Sequence, residues 1–172
     1  MLQKISFDYQ KEEKFLEKYF DRLYPICRSI LGKGFRESLD ILGEIVDLNI
    51  KKVKTGKQVL DWTIPDEWNV LDAYIVSPKG KKIAQFKKHN LHVVGYSIPV
   101  NKVISLNELK KNLHTLPEQP NAIPYVTSYY KRTWGFCLKY DEYKKLKKGN
   151  YRVYINSTLK PGNLVYSDKL IK

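Results

Sequence analysis

The side chains in this chain that could do chemistry are three histidines, two cysteines, and a run of tyrosines beside a pair of cations. His89 and His92 lie three residues apart near a candidate strand start, and His114 lies alone. A metal centre needs three or four converging ligands. The chain has no HExxH, no CxxC and no acidic cluster beside the histidine pair, so no metal ligand and no catalytic residue is assigned. Cys27 and Cys137 sit in apolar contexts (PIC and GFCL) and read as small buried thiols rather than a disulfide framework. No GxSxG marks a nucleophile, and Gly32-Lys33-Gly34 lacks the spacing and the Lys-Ser/Thr of a phosphate-binding loop.

The richer constellation lies between Leu113 and Leu138 (LHTLPEQPNAIPYVTSYYKRTWGFCL). Pro117, Pro120 and Pro124 fix φ and remove backbone donors, which excludes both a helix and a central strand. The segment carries too many large apolar residues for a disordered linker. It is expected to be an ordered loop in which Tyr125, Tyr129, Tyr130 and Trp134, beside Lys131 and Arg132, either stack on and clamp a ligand or fold back onto their own domain. Arg28 and Arg36 flank the Gly32–Gly34 turn, where two guanidinium groups can hold a carboxylate, internal or on a substrate. The candidate substrate-binding residues are therefore Arg28, Arg36, Tyr129, Tyr130, Lys131, Arg132 and Trp134. Asp61, Trp62, Pro65 and Trp68 form a second aromatic knot, read as a hydrophobic corner.

The elements that must position these residues follow from periodicity. Apolar residues at Leu16, Tyr19, Phe20, Leu23, Cys27 and Ile30 predict a helix from about Asp8 to Ile30, kinked or divided at Pro25. Phe35, Leu39, Leu42 and Val46 predict a second helix. Beyond Asn49 the pattern is mostly β, with strands expected at 50–54, 59–62, 73–77, 82–86, 92–97, 134–138, 151–155 and 164–166. Residues 64–68 read as a turn or single helical turn. A capping box at Ser105–Glu108 starts a short helix to about His114, and another helix is expected over 141–148, closed by Gly149.

Charge divides the chain in the same place. Residues 1–50 hold eight Lys/Arg against nine Asp/Glu, a net of −1, whereas residues 51–172 hold 23 against nine, a net of +14. The expected organisation is a helical arm (1–49), a basic β-rich domain (50–166) and a return strand (167–172). The basic part should attract anions. The charged start of the chain is unlike a signal peptide, and the longest uncharged stretch, Asn90 to Asn101, is too short to span a bilayer. No membrane association and a cytoplasmic location are expected.

Leu23 to Leu39 (LYPICRSILGKGFRESL) resembles the start of bacterial aminopeptidase-like proteins often encoded near surface-polysaccharide genes, whose pattern there is close to L-x-P-I-C-R-S-I-T-G-x-G-x-R-x-(S/T)-L. Val53 to Pro99 and Leu116 to Leu138 match further family blocks, and Leu31 departs from the usual Thr. The resemblance implies an α+β fold in which two N-terminal helices belong to an incomplete zinc-aminopeptidase-like fold and the β-rich part is a domain inserted into it, with short helices. It also implies that the family's metal ligands come after the inserted domain. No cofactor is thus expected in this chain, while zinc is expected in full-length relatives. The expected function is that of an N-terminal segment, from a truncated or split protein, that shapes or covers an active site supplied by sequence not present here and is inactive alone. The expected partner is the missing C-terminal part of the same fold or a second copy. The alternative is a stand-alone basic module for an anionic ligand, nucleic acid or acidic glycan, and filter binding would then show affinity falling steeply with salt.

Overall fold

The computed structural model describes residues 8–171; the charged start of the chain and Lys172 of the expected return strand lie outside it. The protein is a mixed α+β structure, as expected. Helix α1 (Tyr9–Leu23) starts where the Asp8 side chain accepts the Lys11 N–H at 3.2 Å. It does not continue to Ile30. Pro25 has no N–H to extend the hydrogen-bond ladder, so the helix ends with the Tyr24 N–H on the Phe20 carbonyl. Residues 25–32 are irregular, and α2 (Lys33–Gly43) follows.

Two glycines make this junction. Gly32 has φ +144°, a backbone conformation disfavoured for other residues, and a Cβ there would lie 2.5 Å from the Trp68 carbonyl oxygen. A Cβ on Gly34 would overlap the Cys27 carbonyl. The Gly32-Lys33-Gly34 run therefore serves close backbone approach.

Strand β1 (Asn49–Lys54) is followed by a miniature hairpin, β2 (Gln58–Val59) and β3 (Trp62–Thr63), where a single strand was expected. Residues 67–68 do not form a turn. They begin β4 (Glu67–Val76), because Trp68 points into the core and pairs with Leu159. Strand β5 (Lys82–Ile83) completes a short hairpin.

The strand expected over 92–97 is absent. A 3₁₀ turn (Asn90–His92) leads into a segment held by single bridges, with Val93, Val94, Tyr96 and Ser97 all buried. Burial on both sides defeats the alternating pattern of an edge strand. Instead β6 (Val100–Ser105) follows Pro99, which sits just before the strand, where its missing N–H costs no ladder bond.

Helix α3 (Leu106–Lys110) starts on the expected cap, Glu108 N–H to Ser105 Oγ at 3.3 Å, and stops short of His114, which lies in β7 (Leu113–His114). Strand β8 (Phe136–Cys137) runs parallel to β7. Helix α4 (Tyr140–Lys144) is shorter than expected, and β9 (Asn150–Lys160) is twice the expected length. Strand β10 (Asn163–Asp168) pairs antiparallel with β1, with a Lys51–Asp168 ion pair across the ribbon.

The central sheet has the order β5-β4-β9-β6 and is antiparallel throughout. Its inner face supplies Ala73, Ile75, Ile104, Val153 and Ile155, on which Leu109, Phe136 and Leu138 pack. Helix α1 buries none of its residues; Leu16 is 66% and Phe20 63% exposed.

A Gly34→Ala substitution is expected to destabilise the protein by about 1–3 kcal/mol, because the added methyl must displace backbone rather than a flexible side chain. Chemical denaturation checks this, and an unchanged midpoint would contradict the close approach.

Candidate functional site

A cleft of about 500 Å³ lies between the 24–30 segment and the loop from Phe86 to Tyr96. Such a volume, mostly apolar with a few polar groups, suits a small ligand. Ile26, Ile30, Phe86 and Val93 line it with Trp68 and Tyr96, while Tyr125 and Thr127 reach it from the proline-rich loop.

Its two walls are tied together. Asn90 Nδ2 donates to the Pro25 and Ile26 carbonyls, each at 3.4 Å, and Tyr24 Oη lies 3.4 Å from His89 Nε2. Beneath the cleft, Ser97 is fully buried and joins several strands. Its carbonyl accepts the Trp68 indole N–H at 2.9 Å and the Ser157 hydroxyl at 2.7 Å, and its hydroxyl donates to the Val94 carbonyl while accepting the Gly135 N–H. A satisfied buried network of this kind fixes one arrangement of the backbone.

That backbone places Tyr96 in an uncommon state. Its φ is +66°, it is 3% exposed, and its ring stacks on Trp68 and meets Tyr129 edge-on. Its hydroxyl is the one buried side-chain polar atom among the described residues without a hydrogen-bond partner. Burial raises its pKa, against the pull of the Leu31 backbone beside it.

The seven predicted site residues separate. Arg28 lines the cleft and donates from one Nη to the Leu23 carbonyl at 2.6 Å. Tyr129 packs behind Tyr96, and Tyr130 is 75% exposed. Arg36 holds an internal carboxylate, Glu67, at 2.7 Å. Burial acts to raise the Glu67 pKa, but the Arg36 hydrogen bond and charge and the Asn163 N–H outweigh it and hold the carboxyl below its ordinary value. Lys131 is exposed, and Arg132 reaches Asp66 at 3.5 Å. Trp134 meets Phe136 edge-on, with Lys102 over its ring. Of the seven, Arg28 alone lines the cleft; Arg36, Tyr129, Tyr130, Lys131, Arg132 and Trp134 lie outside its lining. Sequence reasoning did not single out Lys87, Lys88, Asn90 and Tyr96, although the run Lys87-Lys88-His89-Asn90 directly after an apolar strand offered a signal.

The histidines do not suit a metal. His89 Nδ1 accepts the Leu91 N–H, and its Nε2 faces Tyr24. His92 Nδ1 donates to the Cys137 carbonyl at 2.8 Å, and burial lowers its pKa. Among the described residues no group of three or more His, Cys, Asp or Glu side chains is placed to hold a metal ion. No described helix is long and apolar enough to cross a membrane.

Both thiols are free. Cys27 lines the cleft, and burial pushes its pKa up to about 11 against the pull of Arg28; Cys137 is fully buried and is raised to about 12. Since the thiolate is the nucleophile, labelling of Cys27 by a neutral disulfide reagent should accelerate about tenfold per pH unit from pH 8 to 10. Cys137 should remain unlabelled until unfolding. A rate that levels off near pH 8.5, as for an ordinary thiol, would contradict the buried setting of Cys27.

Comparison with known proteins places these features in context. The family model for a domain of unknown function, DUF2172, matches residues 67–158, which span β4 to β9. A Clostridium acetobutylicum protein, provisionally named as a polysaccharide biosynthesis protein with an aminopeptidase-like domain, is 47% identical over 152 residues, 88% of this chain and 35% of its own length. A crystal structure from the same organism, provisionally titled a peptidase, superposes with a TM-score of 0.86 at 45% identity, covering 91% of this chain and 37% of that one. The chain thus spans about a third of the length of these relatives.

Proposed function

This chain belongs to the DUF2172 family, and from that premise we propose that it acts as the N-terminal segment of an aminopeptidase-like protein, shaping or covering an active site that the rest of such a protein supplies. The observation that carries the reading is one of proportion: nearly the whole chain matches, yet it accounts for 35% of the relative's length. The structure of α1 supports it. An amphipathic helix gains most of its stability by burying one face, and here Leu16 and Phe20 lie open, as a helix does whose packing surface is elsewhere. The donor chemistry also supports it, because His89 and His92 are engaged within the chain and the zinc expected of full-length relatives would take its ligands from the remaining sequence. In this reading the cleft, the Tyr125–Tyr130 loop and Arg28 form the surface offered to that site.

The test uses the purified chain alone and the chain co-expressed with the portion of the Clostridium relative that it does not span. Alone, it should carry no stoichiometric zinc by elemental analysis and should not hydrolyse aminoacyl p-nitroanilides. Co-expressed, the two polypeptides should co-elute, and the complex should protect α1 from hydrogen exchange. One zinc per chain, or hydrolysis by the chain alone, would overturn the proposal.

A further inference from the structure

The cleft, which the aminopeptidase-like reading counts in the surface offered to the active site, carries an inference of its own that does not depend on that reading. Every formally charged side chain that lines it is cationic: Arg28, Lys87 and Lys88, with His89 beside them and no aspartate or glutamate. Lys87 is only loosely engaged, 3.7 Å from Asp72 and 72% exposed, and Lys88 makes no ion pair among the described residues. Arg28 spends one Nη on the Leu23 carbonyl, which fixes the guanidinium and leaves its other N–H groups available. Lys87 and Lys88 are exposed, and the lining also includes the apolar Ile26, Ile30, Phe86 and Val93.

A cavity with both cations and apolar walls discriminates by shape and charge together. The apolar walls favour a body that sheds water, about 25 cal/mol per Å² covered, and the cations favour an anionic group beside them. Tyr96 gives an independent sign that the place is built. A bulky residue held at positive φ is an uncommon arrangement that clusters at ligand sites.

We propose that this cleft binds a small amphipathic anion, an aromatic or aliphatic body carrying one carboxylate or phosphate group, with the body between Ile30, Phe86 and Val93 and the anionic group at Arg28 and Lys88. The contacts across the cleft, Asn90 to Pro25 and Ile26 and Tyr24 to His89, link its two walls, and a preformed site lowers the ordering cost of binding.

Isothermal titration of the full chain at low salt with 2-naphthoate, 2-naphthyl phosphate and neutral 2-naphthamide tests this. At least one of the two anions should bind below 1 mM and at least tenfold more tightly than the amide, and the stronger one identifies the anionic group. The bound anion should slow labelling of Cys27, and the amide resonances of Ser29, Leu91 and Gly95 should shift. Lys88→Gln, at an exposed position, should weaken binding severalfold with an unchanged melting temperature, and Arg28→Gln with Lys88→Gln should weaken it more than tenfold. Equal affinity for anion and amide, no binding of either anion at 1 mM, or full affinity in a folded double variant would each overturn the proposal.

Discussion

The structure depends on the grip that the first three residues of β4 exert on the turn before α2. Glu67 accepts from Arg36 at 2.7 Å and from the Asn163 N–H at 2.9 Å, so one carboxylate joins the helical arm to the start of β10. Asn69 Oδ1 caps the Lys33 N–H at 2.7 Å, satisfying a donor that Gly32, which has no side chain, leaves open. Between them the Trp68 carbonyl lies against Gly32 so closely that no side chain fits. The two bonds to the Glu67 carboxylate are partly buried and charge-assisted, and such bonds are about twice as strong as neutral ones. The helices of the arm add little burial, since α1 buries no residue and α2 buries Ser38 and Leu39, while between them Leu31 is fully buried and Cys27 and Ile30 pack against the core.

The cleft is a consequence of that grip. With the turn at Gly32 pinned and Gly34 letting α2 close on the Cys27 carbonyl, the 25–30 segment faces the Phe86–Tyr96 loop across the cleft. The far wall is set by the buried Ser97 network, which ties β4, β9 and the Gly135 backbone to one point. Tyr96 is the residue caught between the two constraints, with Trp68 on one side and Tyr129 on the other. The proline-rich loop contributes Tyr125 and Thr127 to the cleft rather than its basic pair.

The charge imbalance along the chain has a local expression. The net +14 of residues 51–172 is spread over exposed lysines, several of which lie over tyrosine rings: Lys51 over Tyr166, Lys82 over Tyr74 and Lys110 over Tyr143. Those cations belong to the solvated surface. The three at the cleft differ because they border an apolar recess, where an anion would be partly desolvated and the attraction is stronger than in open water.

The sequence by itself determined the mixed α+β class, the two helices before residue 49, the Ser105 cap and the aminopeptidase-like relationship carried by Leu23–Leu39. Each rests on local chemistry: helical spacing, a side chain that caps its own backbone, a contiguous motif. It also indicated that Arg28 and Arg36 matter at the turn between the helices. Only the tertiary structure decided what they do, because Arg36 meets a carboxylate 31 residues away while Arg28 turns to the cleft. The misread elements share one cause. Residues 92–97 carry a strand-like composition, but burial on both sides and the positive φ of Tyr96 remove the alternation on which that reading depends. Likewise β6 and the full length of β9 are fixed by pairing, Val100 to Ile155 and Ser105 to Asn150 between the two and Glu67 to Lys160 with β4, a long-range register that no local pattern encodes.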